Sequence, residues 1–310
     1  MLRGVKNRYT IQDVRVCMNN NLTGLRFVIA YNTSGMVGAK KSVEEIIDIC
    51  KFSGFYGLEG DDEGIFAGKS VDELAKMGDK FKAAGLSIGT FHLPYKDPVL
   101  DDIATLYEVD RRKMVEKMKF WMERAVAVGS TIGILHPTTR KGYNVDIEGL
   151  DKICSQAGKT LQELLKFGEQ FGFKIALENM LPYSGGRLGC KNEHMTKLYE
   201  ENRHPNLGFC LDTGHSLVAH AENAMSSYEA MKDHLIAFHM QDNAGDKDSH
   251  LQPGKGNYFW KELFTQLNKT GFDGNVCVEA PPFTFGPNYS KEAWKKMFTE
   301  LNELVENSLK

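Results

Sequence analysis

The sequence predicts a single-domain (β/α)8 TIM barrel, and three observations carry that prediction. Eight short β-rich runs recur along the chain, amphipathic helical segments lie between them, and successive strand ends fall 27 to 44 residues apart. That spacing is the length of one strand, one helix and two loops, which is the unit of parallel pairing through right-handed crossovers. Most of the runs are apolar throughout rather than alternating, as strands covered on both faces should be. Eight units favour a closed barrel over an open doubly wound sheet, and no GxGxxG follows the first strand to support the nucleotide-binding version of the latter.

The strands read LRFVIAY (25–31), FYGLE (55–59), LSIGTFH (86–92), TIGILH (131–136), KIALE (174–178), LGFCLD (207–212), LIAFH (235–239) and NVCVE (275–279). After the first, SVEEIIDICKFSG opens with Ser42 and Glu45 at capping-box spacing and closes at Gly54. Ser70 and Glu73 repeat the device before LAKMGDKFKAAG, which stops at Gly85. RRKMVEKMKFWMERAVAVG and GKTLQELLKFGEQFG supply the next two helices. NEHMTKLYEEN, SSYEAMKDH, NYFWKELFTQLNKTG and the final KEAWKKMFTELNELVENSLK complete the set. Residues 1–24 read as an N-terminal extension, and 25–310 as one barrel with no low-complexity linker to divide it.

A hydrophobic content of 42% with 25% charged residues suits a globular core. The formal net charge of −3 gives no overall reason to expect nucleic acid or an anionic membrane as partner. No run approaches the roughly 20 apolar residues of a membrane span, and the N-terminus has no continuous apolar segment of a signal peptide. Six cysteines are scattered without a CxxC and read as reduced, mostly buried thiols, so the cytoplasm is the expected compartment.

In a barrel, chemistry is expected at the C-terminal ends of the strands. Here strands two to eight end in Glu59, His92, His136, Glu178, Asp212, His239 and Glu279. A charged end can be mere solvation, but solvation would accept Lys, Ser or Asn as readily as seven acids and histidines. Glu178, Asp212, His239 and Glu279 come from four successive strands. Together they make an oxygen-rich set suited to Mn, Mg, Co or Zn as a divalent cofactor. Crowded carboxylates would repel without such an ion. Five further residues are candidates for a second metal or for substrate. His92 and His136 close their strands, His215 follows Asp212 in LDTGH, and Asp248 and His250 form a D-x-H pair in the loop HMQDNAGDKDSHLQPGKG. In that loop Asp242 reads as a supporting or loop-capping residue. His194, His204, His220 and His234 lie in helical or turn sequence and are not expected to be ligands.

The motifs ALENM, CLDTGH, FHMQD with DKDSHLQPGKG, and VCVEAP resemble the xylose isomerase-like barrel superfamily over about residues 25–305. That superfamily holds sugar and sugar-phosphate isomerases and epimerases and the family 2 apurinic endonucleases. The resemblance implies metal ligation by Glu178, Asp212, His239 and Glu279, with Glu178 and Glu279 moving a proton through an enediolate as the acid–base pair. Its trinuclear endonucleases imply further ligands at His92, His136, His215, Asp248 and His250. The form of the loop from His250 to Gly256 is closer to the isomerases, and the chain lacks a run of Arg and Lys to track a duplex. The resulting expectation is a metal-dependent sugar or sugar-phosphate isomerase or epimerase with one ion, up to three, and a small carbohydrate substrate. Glu59 and Lys255, the latter where many sugar epimerases carry arginine, are expected to touch that substrate. Zinc-dependent hydrolysis of abasic-site DNA is the alternative, a non-catalytic barrel the third reading. Barrels of this kind often assemble as homo-oligomers.

Overall fold

The computed structural model describes residues 28–33, 36, 40–139, 143–182, 186–283 and 287–310; the expected extension, 1–24, lies outside them. Eight parallel strands close a ring in sequence order. They are β1 Val28–Asn32, β2 Gly57–Gly60, β3 Ser87–His92, β4 Ile132–Leu135, β5 Lys174–Glu178, β6 Leu207–Asp212, β7 Leu235–Met240 and β8 Asn275–Val278. β8 returns to β1 with Val28 opposite Asn275, which closes the barrel and leaves no exposed sheet edge.

Helices follow the strands around the outside: α1 Val43–Ser53, α2 Val71–Ala83, α3 Glu108–Val128, the one-turn α4 Val145–Glu148, α5 Leu150–Gly168, α6 Asn192–Glu201, α7 Thr213–His220, α8 Met225–Met231, α9 Trp260–Thr270 and α10 Lys291–Leu309. The capping boxes expected at Ser42 and Ser70 are both formed, each serine accepting from the N3 amide while the N3 glutamate accepts from the serine amide. α3 begins three residues before the apolar pattern does, because Glu108 pairs with Arg111 and Arg112 within the first turn. α4 and α7 are helices the sequence does not announce. Asp212 is at once the last residue of β6 and the N-cap of α7, so strand passes to helix with no linker to mark the change.

The main core lies between the strands and the helices. Inside the barrel a separate small cluster gathers Ile132, Ile134, Ala176, Cys210 and Ala237. Successive side chains in a strand alternate in direction, so the residues two positions further along share that inward face. Those residues are His136 past Ile134, Glu178 past Ala176, Asp212 past Cys210 and His239 past Ala237. The barrel is therefore plugged by small apolar side chains and capped by acids and imidazoles. Among the described residues five cysteines are free and buried, and no helix is long and apolar enough to cross a membrane.

Candidate metal centre and its pocket

Glu178 is the hub of the barrel mouth. Only 1% exposed, its carboxylate faces imidazole nitrogens from four directions: His136 at 3.1 Å, His215 at 3.3 Å, His239 at 3.4 Å and His92 at 3.6 Å. Burial opposes its ionisation, but the imidazoles of His239, His136 and His215 outweigh that and hold the carboxyl well below its ordinary range.

His239, at the end of β7, is fully buried. Its Nε2 bonds to Glu59 Oε2 at 3.1 Å, and its Nδ1 faces Glu178 Oε1 at 3.4 Å and Glu279 Oε2 at 3.5 Å. Glu59 also accepts from Asn32 Nδ2 at 2.9 Å and Thr90 Oγ1 at 2.8 Å. The same Asn32 amide donates to Glu279 Oε1 at 2.9 Å. Glu59 thus lies beneath the mouth rather than on the surface of the pocket where it was expected to meet substrate, and its contacts are those of a clamp that fixes the His239 ring.

On the other flank Asp212 Oδ1 accepts from the His215 amide at 2.7 Å, the N-cap bond of α7. Gln241 Nε2 bridges Asp212 Oδ1 at 3.3 Å and Asp248 Oδ1 at 2.6 Å. Asp248 Oδ2 lies 3.2 Å from His250 Nε2 and 3.7 Å from His215 Nε2. Three histidines anchor their Nδ1 on main-chain carbonyls: His92 on Leu93, His215 on Asn179 and His250 on Glu279. Once the ring is neutral, each anchor selects the tautomer that leaves Nε2 bare toward the mouth. His250 holds this pose with its backbone in the left-handed region, φ 45°. The loop that carries it is fastened by Asp242, whose carboxylate accepts from the amides of Gly254 and Tyr258 and from Trp260 Nε1.

Overlapping groups of these side chains offer ligand atoms within 4.8 Å of one another: His92 with His239 and Glu279, His92 with His136 and Glu178, and Glu178 with Asp212 and His215. Donor atoms around one ion with bonds of about 2.1 Å sit about 3.0 to 3.4 Å apart. The separations at His239, 3.4 and 3.5 Å, lie at the upper end of that range and just beyond it. Glu178 Oε2, Asp212 Oδ2 and His239 Nδ1 are also buried without a hydrogen-bond partner. Buried polar atoms are seldom left so, and each of these three belongs to one of the overlapping groups that could hold a cation. The residues fit a divalent ion.

Burial pulls His136 down to about 4, so its ring is neutral. Burial acts the same way on His92 and His250, but the acids around them prevail and raise both to about 9. A base whose folded pKa lies above its ordinary 6.5 contributes stability below that value and loses it as pH rises toward 9. The metal-free protein is therefore expected to lose stability between pH 6.5 and 9. Added Mn should reverse the trend, because ligation requires the bare imidazoles. Denaturant melts with and without Mn across that range check it, and a metal-free stability that rises with pH would contradict it.

The cluster forms the floor of a cavity of about 600 Å³, within the range of small-molecule sites. Glu178, Glu279, His92, His136, His215, Asp248 and His250 all reach it. Lys255 does not line it and pairs instead with Glu300 at 3.2 Å. Tyr31, Tyr95 and Tyr289 line the wall, the Tyr95 ring 4.5 Å from that of His92 and 4.7 Å from that of His136. Asn32, Asp61, Arg187 and Gln241 are the functional candidates that the linear sequence did not single out. Asn32 could have been found as the polar residue one step past the first apolar run.

A closed barrel with a carboxylate–imidazole cluster at its C-terminal mouth is a (β/α)8 scaffold with candidate cation-binding groups. The chain belongs to the xylose isomerase-like TIM barrel family, whose model matches residues 47–306. It is 28% identical over 216 residues to an uncharacterised protein of Methanocaldococcus jannaschii, covering 68% of this chain and 69% of that one. It is 26% identical over 171 residues to the fructoselysine 3-epimerase of Escherichia coli O157:H7, covering 54% of this chain and 59% of the relative. The solved structure of a D-tagatose 3-epimerase-like protein superposes with a TM-score of 0.74 at 24% identity, over 91% of this chain and 98% of the other. Relatives and structural neighbours thus include sugar epimerases.

Proposed function

We propose that this protein is a divalent-metal-dependent epimerase or isomerase of ketoses or related sugars, with Glu178 and Glu279 as the acid–base pair. The observation that carries the reading is the placement of those carboxylates. Both approach His239 Nδ1, at 3.4 and 3.5 Å, on the floor of one cavity, and they come from β5 and from the end of β8. Glu178, Asp212, His239 and Glu279 would hold the ion. When bound, a divalent cation supplies Lewis acidity that polarises a substrate carbonyl and makes the adjacent C–H acidic.

The chain's own groups do the rest. One glutamate takes the proton from one face of the reacting carbon, and the other returns a proton to the opposite face. Asn32 holds Glu279 by its Oε1, leaving Oε2 toward the centre. His92, His136 and His215 are placed to bond the substrate's hydroxyls, and Tyr95 to wall the pocket.

The hydrolase reading keeps support from one feature: beside Asp212, Asp248 Oδ2 lies 3.7 Å from His215 Nε2 and 3.2 Å from His250 Nε2. Elemental analysis of freshly purified protein separates the two. About one Mn, Mg or Co per chain is expected, with exchange of a ketose C–H in deuterium oxide. About two or three zinc ions per chain, with nicking of abasic-site DNA and no such exchange, would overturn the epimerase reading.

A further inference from the structure

The β2–β3 side of the pocket has a feature that the proton-transfer chemistry does not use. Asp61, just past the end of β2, is 7% exposed and lines the cavity. One carboxylate oxygen, Oδ1, accepts from the Glu63 amide at 2.9 Å; the other, Oδ2, has no hydrogen-bond partner. Asp62 and Glu63 line the same wall; Lys96 is paired with Glu63 at 2.6 Å, and the His92 ring lies in the field of Asp61 and Asp62. A buried carboxylate oxygen without a donor is costly unless something arrives to satisfy it. A hydroxyl could fill the bonding deficit, but a cationic group would also add positive charge at the free oxygen of Asp61, where three acids lie close together.

We propose that Asp61 anchors a protonated amino group on the substrate, so that the pocket prefers amine-bearing ketoses to neutral ones and rejects phosphorylated ones. The inference rests on the epimerase reading above. Burial, aided by Asp62 and Glu63 and opposed by His92, pushes the Asp61 carboxyl up to about 6. A bound ammonium would restore the charge that burial disfavours. Arg187, the buried cation elsewhere on the cavity wall, does not argue for an anion. It donates to the Thr138 carbonyl at 3.0 Å and lies in the field of Asp102, a buried carboxylate bonded to Thr138 Oγ1 at 2.9 Å.

The test is calorimetric titration of the manganese-loaded protein with fructose, fructosamine and fructose phosphate, repeated on Asp61→Asn. Fructosamine is expected to bind about tenfold tighter than fructose and fructose phosphate about tenfold weaker. In Asp61→Asn the fructosamine-to-fructose ratio should fall to about one. A ratio of two ligands on one protein cancels any general damage from the substitution. Phosphate binding equal to or tighter than fructose, or an unchanged ratio in the variant, would overturn the Asp61 assignment and leave the epimerase reading standing. No binding of any of the three would overturn both.

Discussion

Glu178→Gln is expected to lower ketose turnover by about a thousandfold. The carboxylate meets four imidazoles between 3.1 and 3.6 Å, and an amide in its place would turn a donor toward at least one of them. Part of the loss would be metal occupancy, so turnover must be expressed per bound ion. Glu279→Gln provides the contrast. Glu279 is held by Asn32, and its side chain is 15% exposed, so more of the cation should be retained. If the two glutamates serve opposite faces of the carbon, each variant should still exchange the C–H of one epimer in deuterium oxide while failing to interconvert the pair. Wild-type turnover per bound metal in both variants would remove the proton-transfer role from these residues.

Glu59→Gln should weaken metal binding by about 10- to 100-fold without touching a ligand. Burial disfavours its ionisation, yet His239 and His92, with the Thr90 hydroxyl, hold the carboxyl below its ordinary range. The charge that His239 leans on would vanish, and an amide donor would replace one of the acceptors now used by Asn32, Thr90 and His239. A mispaired buried polar group adds about 1–3 kcal/mol of destabilisation. Manganese titration and a thermal melt read the two effects separately. An unchanged metal affinity would mean that His239 keeps its pose by packing alone.

The barrel was legible because its strands are unbroken apolar runs, and such runs have few other readings at this spacing. Even the ends were nearly right: β4 stops at Leu135 and β8 at Val278, each one residue before the side chain that matters. The acids and histidines were legible because few structural needs call for them at the end of every strand. What a linear reading cannot supply is depth. Glu59 looks like its fellow strand-end acids, yet it lies below them, while Lys255 sits in a promising loop and turns to Glu300. Amides hide for another reason. Asn32 and Gln241 hold acids in place, but an amide in a sequence is as often a loop residue as a brace. α7 escaped because its cap is also a candidate ligand.

The ring divides its labour between halves. The four candidate ligands come from β5 to β8, while Asn32, Glu59, Thr90 and His92 reach the centre from β1, β2 and β3. The braces of His239 and Glu279 therefore lie on one stretch of chain and the candidate ligands on another, with Gln241 the brace that shares the ligands' half. Drift in the first half can retune the basicity and tautomer of His239 while the second half keeps the candidate ligands.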